Sequence, residues 1–180
     1  MAGILKVDKY QDFNGNDIMT SDGAGNITMP SGIISGQNYP AFCVKLSANQ
    51  VVTDASTTKI QFDEKIIDTD NAYDNSTNYR FTVPTGKAGS YFISLFMNCN
   101  SSSDTTVLWG YAKLYKNGSL LYEHINNMTN NPVRNILTPL NVIINLSDGD
   151  YLEAYNQINV SSGTPNVESR SFFSGYRLGA

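Results

Sequence analysis

From Pro40 onward the chain is a run of short apolar or alternating segments, broken by Gly, Pro, Asn and Asp, and no segment carries a helical period. Residues 41–46, 59–62, 79–83, 90–98, 107–115, 119–122, 140–146, 151–157 and 171–178 are expected strands. Pro84 stops the third of them, because it cannot donate to a sheet ladder. Lys116-Asn117-Gly118 joins two others as a hairpin. Strands at this spacing predict an all-β sandwich or jelly roll. With 180 residues, 41% of them hydrophobic, the chain is long enough for one such core and a short appendage.

The strand over residues 91–97 narrows the reading further. Tyr91, Ile93, Leu95 and Met97 point one way, and Phe92, Ser94 and Phe96 the other. A sandwich strand with one face in water is apolar on one side only. Here both sides carry large apolar groups, and Val142-Ile143-Ile144 and Phe172-Phe173 repeat the pattern. The simplest cause is a double cover: one face meets the core and the other a neighbouring subunit. A wider core, or a loop lying over the sheet, is the alternative.

Residues 1–38 read as a separate arm and linker, and 39–180 as the main domain. The arm is rich in Gly, Asp and Asn. Residues 5–10 alternate like a short strand, and residues 18–29 read as strand, tight turn and strand. So small a hairpin cannot bury a core by itself. Leu5, Val7, Tyr10, Ile18 and Ile27 are therefore expected to anchor the arm on another surface. The Gly-rich residues 32–38 are expected to let arm and domain orient separately.

Catalytic chemistry is not legible. His124 is the lone histidine, with no Gly-x-Ser-x-Gly elbow to accompany it. Asp148-Gly149-Asp150 is better explained as a turn than as a carboxylate pair. Asp68, Asp70 and Asp74 are the best calcium candidates, but no bidentate Glu follows at loop spacing. A solvated loop is the plainer reading, and neither metal nor cofactor is expected. Trp109, Tyr111 and Tyr115 suit sheet packing better than a sugar platform. Cys43 and Cys99 are expected as free thiols, with one disulfide as the alternative. A net charge of -4 argues against a nucleic-acid partner, and no segment is long and apolar enough for membrane insertion. No secretory signal pattern opens the sequence.

Several motifs follow in a telling order. Phe62 precedes Tyr73-Asp74-x-Ser76-Thr77, then Phe81-Thr82-x-Pro84, then Gly89-x-Tyr91-Phe92. Lys116-Asn117-Gly118, Asp148-Gly149-Asp150 and Phe173-Ser174-Gly175-Tyr176 come after. This order resembles the C1q/TNF-like jelly-roll domain over residues 40–180. Two departures lie in turns: Asn78 stands where a Gly is usual, and the loop 85–88 is longer. The resemblance implies a non-enzymatic homotrimer, with an aromatic of the Phe-Ser-Gly motif near the three-fold axis. By position Phe173 inherits that place, with Phe92 on the adjacent strand. Some family members bind calcium near the trimer apex, and the resemblance extends that candidacy to Asp68, Asp70 and Asp74. Residues 5–8, 14–18 and 21–28 resemble the leader of bacteriophage virion fibre proteins, especially of marine phages and cyanophages. Together the two resemblances imply a tail- or head-fibre knob or capsid decoration protein. Its partners would be other virion proteins, met through the arm, and a host-surface glycan or protein, and its location the virion. The alternative is a secreted, extracellular C1q-like ligand or lectin. In either case the loops 98–104, 126–135 and 160–168 are expected to carry recognition.

Overall fold

The computed structural model describes residues 7–28 and 40–179. It contains sixteen strands and, among the described residues, no helix. The chain divides into two compact units, Met1–Gln37 and Asn38–Ala180.

The first unit is a three-stranded antiparallel sheet of β1 (Lys9–Gln11), β2 (Asp17–Ser21) and β3 (Ile27–Thr28). Its two turns share one construction. Asp12 accepts from the amides of Asn14 and Asn16 and from the Asn16 side chain. Asp22 does the same for the amides of Ala24 and Asn26 and for the Asn26 side chain. Both turns read Asp-x-x-Gly-Asn, and Gly15 and Gly25 take the positive φ that each requires. Val7, Tyr10, Ile18 and Ile27 are 41–63% exposed, so this sheet leaves its apolar groups uncovered. Leu5 and the expected linker 32–38 lie outside the described residues.

The second unit is a sandwich of two antiparallel sheets. The first sheet is built on β10 (Gly89–Ser101). β13 (Asn135–Leu146) pairs along one side of it, and β16 (Phe172–Gly179) along the other. β4 (Ala41–Lys45) and β7 (Glu64–Asp68) follow outward from β16. β15 (Pro165–Val167) and β5 (Gln50–Val51) extend the sheet beside the far end of β10. The second sheet runs β12 (Ser119–Asn127), β11 (Val107–Lys116), β14 (Tyr151–Val160), β9 (Arg80–Thr82) and β8 (Tyr73–Asp74). The short β6 (Thr58–Lys59) adds to β14. The sandwich therefore has one edge formed by β12 and β13 and another by β7 and β8.

Inward side chains of both sheets fill the core. Phe42, Phe62, Tyr73, Phe81, Tyr91 and Phe173 form an aromatic cluster between the layers. The Phe42 and Phe81 rings stack at 4.4 Å, and Phe173 meets Phe42 edge-on at 4.9 Å. Gly175 sits where the sheet must come close: a Cβ there would lie 2.6 Å from Ile93 Cδ1 and 3.0 Å from the Phe92 carbonyl oxygen.

The expected position of Phe173 at a subunit axis does not hold. Phe173 lies directly opposite Leu95 in the ladder, so it shares the inward face with Tyr91, Ile93, Leu95 and Met97. It is 0% exposed. Successive side chains alternate, so the outward places on this strand belong to Phe172, Ser174 and Tyr176. The expected loop 98–104 is also shorter than expected, because β10 continues to Ser101 and Asn98 and Ser101 are buried. Glu168 holds that end together. It accepts from Asn98 at 2.8 Å and Asn135 at 3.1 Å, and also from Asn100 and Arg170. Cys43 faces outward on β4 and Cys99 inward on β10, and both are free thiols.

Candidate functional site

The outward face of the β10 sheet is built from ladder rows. In one row Ile143, Phe92, Tyr176 and Ala41 lie side by side. In the next come Asn141, Ser94, Ser174, Cys43 and Ile67. Pro139, Phe96, Phe172 and Lys45 make the third. Phe92 packs on Tyr176 at 5.5 Å, and Phe96 stacks on Phe172 at 5.3 Å with planes 8° apart. Ile143 is 64% exposed beside them. Lys45 and its ladder neighbour Glu64 are the charged groups in these rows, and they pair with each other at 3.1 Å.

The outer face of the other sheet is different in kind. Trp109, Tyr111, Tyr115 and Tyr155 are interleaved there with ion pairs. Lys113 pairs with Glu123 at 3.2 Å, and Lys59 with Glu153 at 2.5 Å. Lys113 also lies 4.6 Å from the Tyr111 ring centre. That face is suited to water. A second apolar surface lies at the β12 edge, where Leu120, Leu121, Tyr122 and Ile125 are all exposed. The lone His124 stands on this strand, beside Glu123.

The three calcium candidates are engaged separately. Asp68 accepts from Lys65 and from the amides of Ala72 and Tyr73. Asp70 accepts from the Thr69 hydroxyl. Asp74 takes the amides of Thr77, Ser76 and Asn78, the Asn78 side chain and the Ser76 hydroxyl. Those bonds hold its carboxyl well below the usual range, the Thr77 and Ser76 amides contributing most. Among the described residues no group of three or more His, Cys, Asp or Glu is arranged to hold a metal. Asn78, where a Gly was expected, earns its place by donating twice to Asp74. Tyr79 then takes the strained left-handed φ of 48°.

Asp148 and Asp150 are likewise turn residues. Asp148 gathers the amides of Gly86, Lys87 and Ala88, which explains how the longer loop 85–88 is held. Burial would raise the Asp150 carboxyl, but bonds from Lys116, Asn117 and the Ser147 amide outweigh it and lower it to about 2.

Two antiparallel sheets, a long shared β10 and this set of capped turns define a C1q/TNF-like jelly roll. A family model for the C1q domain matches residues 41–178, and the chain belongs to that family. Among solved structures, the globular domain of zebrafish complement 1qA protein is similar, with a TM-score of 0.53 and 14% identity over 78% of this chain and 98% of that one. Eiger TNF from S. frugiperda gives 0.56 and 12% over 79% and 94%, and murine APRIL at pH 5.0 gives 0.52 and 10% over 77% and 98%. At such identities the likeness shows the shared fold. No curated protein matches the chain in sequence. Among the described residues no helix is long and apolar enough to cross a membrane.

Sequence reasoning put Phe92 on the outward face, took Phe173 rather than Phe172 as its outward neighbour, and missed Tyr176 and the β12 edge. Strict alternation from Phe92 through the β10–β16 register identifies Phe172 and Tyr176, yet that register is a tertiary fact.

Proposed function

We propose that the chain is a non-enzymatic C1q-like binding module that acts as a homotrimer and displays its loops and edges to an extracellular ligand. The observation that carries this reading is the aromatic outer face of the β10 sheet. A soluble monomer rarely turns two such aromatic rows, only one row of small and polar side chains apart, toward water. The β12 edge is a second and different apolar surface on the same protomer. Two unlike surfaces that cover each other make a head-to-tail contact, which closes into a ring where the rotation between subunits divides a full turn. Three identical sites held rigidly together would then bind by avidity. Phe92→Asp should place a charge in the covered face and convert the oligomer to monomers of unchanged fold. Multi-angle light scattering at micromolar concentration checks this. A monomeric unaltered protein would end the homotrimer reading.

A second reading keeps the same module on a virion, as the knob of a fibre or decoration protein. The observation that favours it is the separate N-terminal sheet, with Val7, Tyr10, Ile18 and Ile27 uncovered and available to anchor on a larger particle. The displayed domain would then meet a host-surface glycan or protein.

A further inference from the structure

We propose that the cleft between β7 and the β8–β9 turn binds an acidic sugar, a pyranose ring carrying one carboxylate, with Arg80 as the carboxylate-binding residue. This rests on the binding-module reading and names a ligand class for it. The cleft measures about 560 Å³, and its lining includes Asp70, Tyr73, Asp74, Asn75, Asn78 and Arg80. That size lies within the roughly 300–1,000 Å³ of small-molecule sites.

Of the two cations lining the cleft only Arg80 is uncommitted, and of the cleft's two carboxylates Asp70 takes a single hydrogen bond, from the Thr69 hydroxyl. Lys65 is bound to Asp68 at 2.7 Å and to Asn71 at 3.0 Å. Asp74 accepts five hydrogen bonds from its own turn, which uses up a carboxylate's acceptor capacity. Seven further cations elsewhere form ion pairs. Half-buried Arg80 makes none, and among the described residues its guanidinium has no hydrogen-bond acceptor. It lies instead on the Tyr151 ring, 4.2 Å from the centre. Stacking fixes the plane of a guanidinium while leaving its N–H edge available, the geometry that takes a carboxylate through two parallel bonds.

The neutral groups complete the match. Asn75 donates its side-chain amide to the Asp63 carbonyl, and Asn78 donates its own to Asp74. Their Oδ1 atoms have no protein donor among the described residues and can accept from sugar hydroxyls. One open cation with several open acceptors suits one carboxylate among several hydroxyls. A phosphate group carries more charge than Arg80 alone balances, and the repulsion from Asp70 and Asp74, which a single carboxylate also meets, grows with that charge. The cleft lies at the β7–β8 edge, opposite the β12 edge assigned to subunit contact, while β7 also borders the β10-sheet face that forms the other half of that contact.

The test is an NMR titration of the full chain with the methyl glycosides of glucuronate, galacturonate and sialate, with methyl glucoside and acetate as comparators. At least one acidic glycoside should shift amides in residues 74–80 and bind about ten-fold or more tighter than glucoside or acetate. Arg80→Met should weaken that binding by about ten-fold or more, and Arg80→Lys, which keeps the charge but loses the fork, by less. Silence toward all three acidic glycosides overturns the proposal. So does equal binding of acetate or glucoside, or an Arg80→Met variant that binds like the parent. The comparison of probes on the unaltered chain decides even if the variant fails to fold. A protein that is oligomeric by light scattering yet silent here loses this inference and keeps the binding-module reading.

Discussion

Phe173 and Phe92 sit three ladder rows apart on neighbouring strands and do opposite work. Phe173 touches Phe42, Phe62 and Tyr73 in the middle of the sandwich, so its removal leaves a cavity between two sheets that cannot both close over it. Phe173→Ala should cost about 3–5 kcal/mol in a urea denaturation of the chain, where Phe92→Asp should shift assembly and leave the protomer folded. If both variants unfold alike, the outward assignment of Phe92 is wrong. Asp150 supplies the pH dependence that can be isolated at one position. Its folded value, near 2, is below the ordinary 3.8, so its contribution is present above 3.8 and is lost as pH falls toward 2. Asp150→Asn should melt lower than the parent at neutral pH, and the gap should narrow as both are taken down through that window. Thermal melts at several pH values measure the gap, and a gap that widens on acidification would refute the assignment.

At the scale of elements, β10 organises the domain. It pairs with β13 over its whole length and with β16 and β15 in series on the other side, so every row of the outer face crosses it. Gly175 lets β16 lie against it at that distance. In Gly175→Ala the new methyl meets a backbone carbonyl as well as the Ile93 and Phe42 side chains, and a backbone carbonyl cannot step aside cheaply. The substitution should destabilise the domain by about 1–3 kcal/mol, read as a lower urea midpoint with unchanged slope. An unaffected midpoint would mean that the close approach relaxes freely. The N-terminal sheet is assembled by the opposite strategy. It has little to bury and relies on two Asp-x-x-Gly-Asn turns ten residues apart. That repeat is visible in the sequence as Asp12/Asp22, Gly15/Gly25 and Asn16/Asn26, and it escaped a reading tuned to hydrophobic alternation.

For the molecule as a whole, the two units differ in what they can do alone. The sandwich has a complete core, whereas the N-terminal sheet exposes its apolar residues. Removing residues 1–38 should therefore leave a domain with nearly the parent's melting temperature and the same oligomeric mass. On the virion reading, the truncated protein should also no longer enter particles. Sedimentation and melting of the truncated chain check the first outcome. A truncated chain that dissociates would show that the arm, rather than the β10 face, holds the subunits together.

The sequence by itself determined that the chain is all-β, where most strands fall, and that the strand over residues 91–97 carries large apolar groups on both faces. It also carried the motif order of the C1q jelly roll. These are local properties: alternation, turn chemistry and the length of apolar runs are written in neighbouring residues. Only the tertiary structure decided which member of Phe172-Phe173 faces out, because that depends on a register between β10 and β16 set across about eighty residues of chain, and a one-residue slip exchanges the faces. It likewise decided that Asp68, Asp70 and Asp74 each serve a different hydrogen-bonded set. It also left Arg80 stacked on Tyr151 with no carboxylate partner, since long-range pairing alone brings those groups together or keeps them apart.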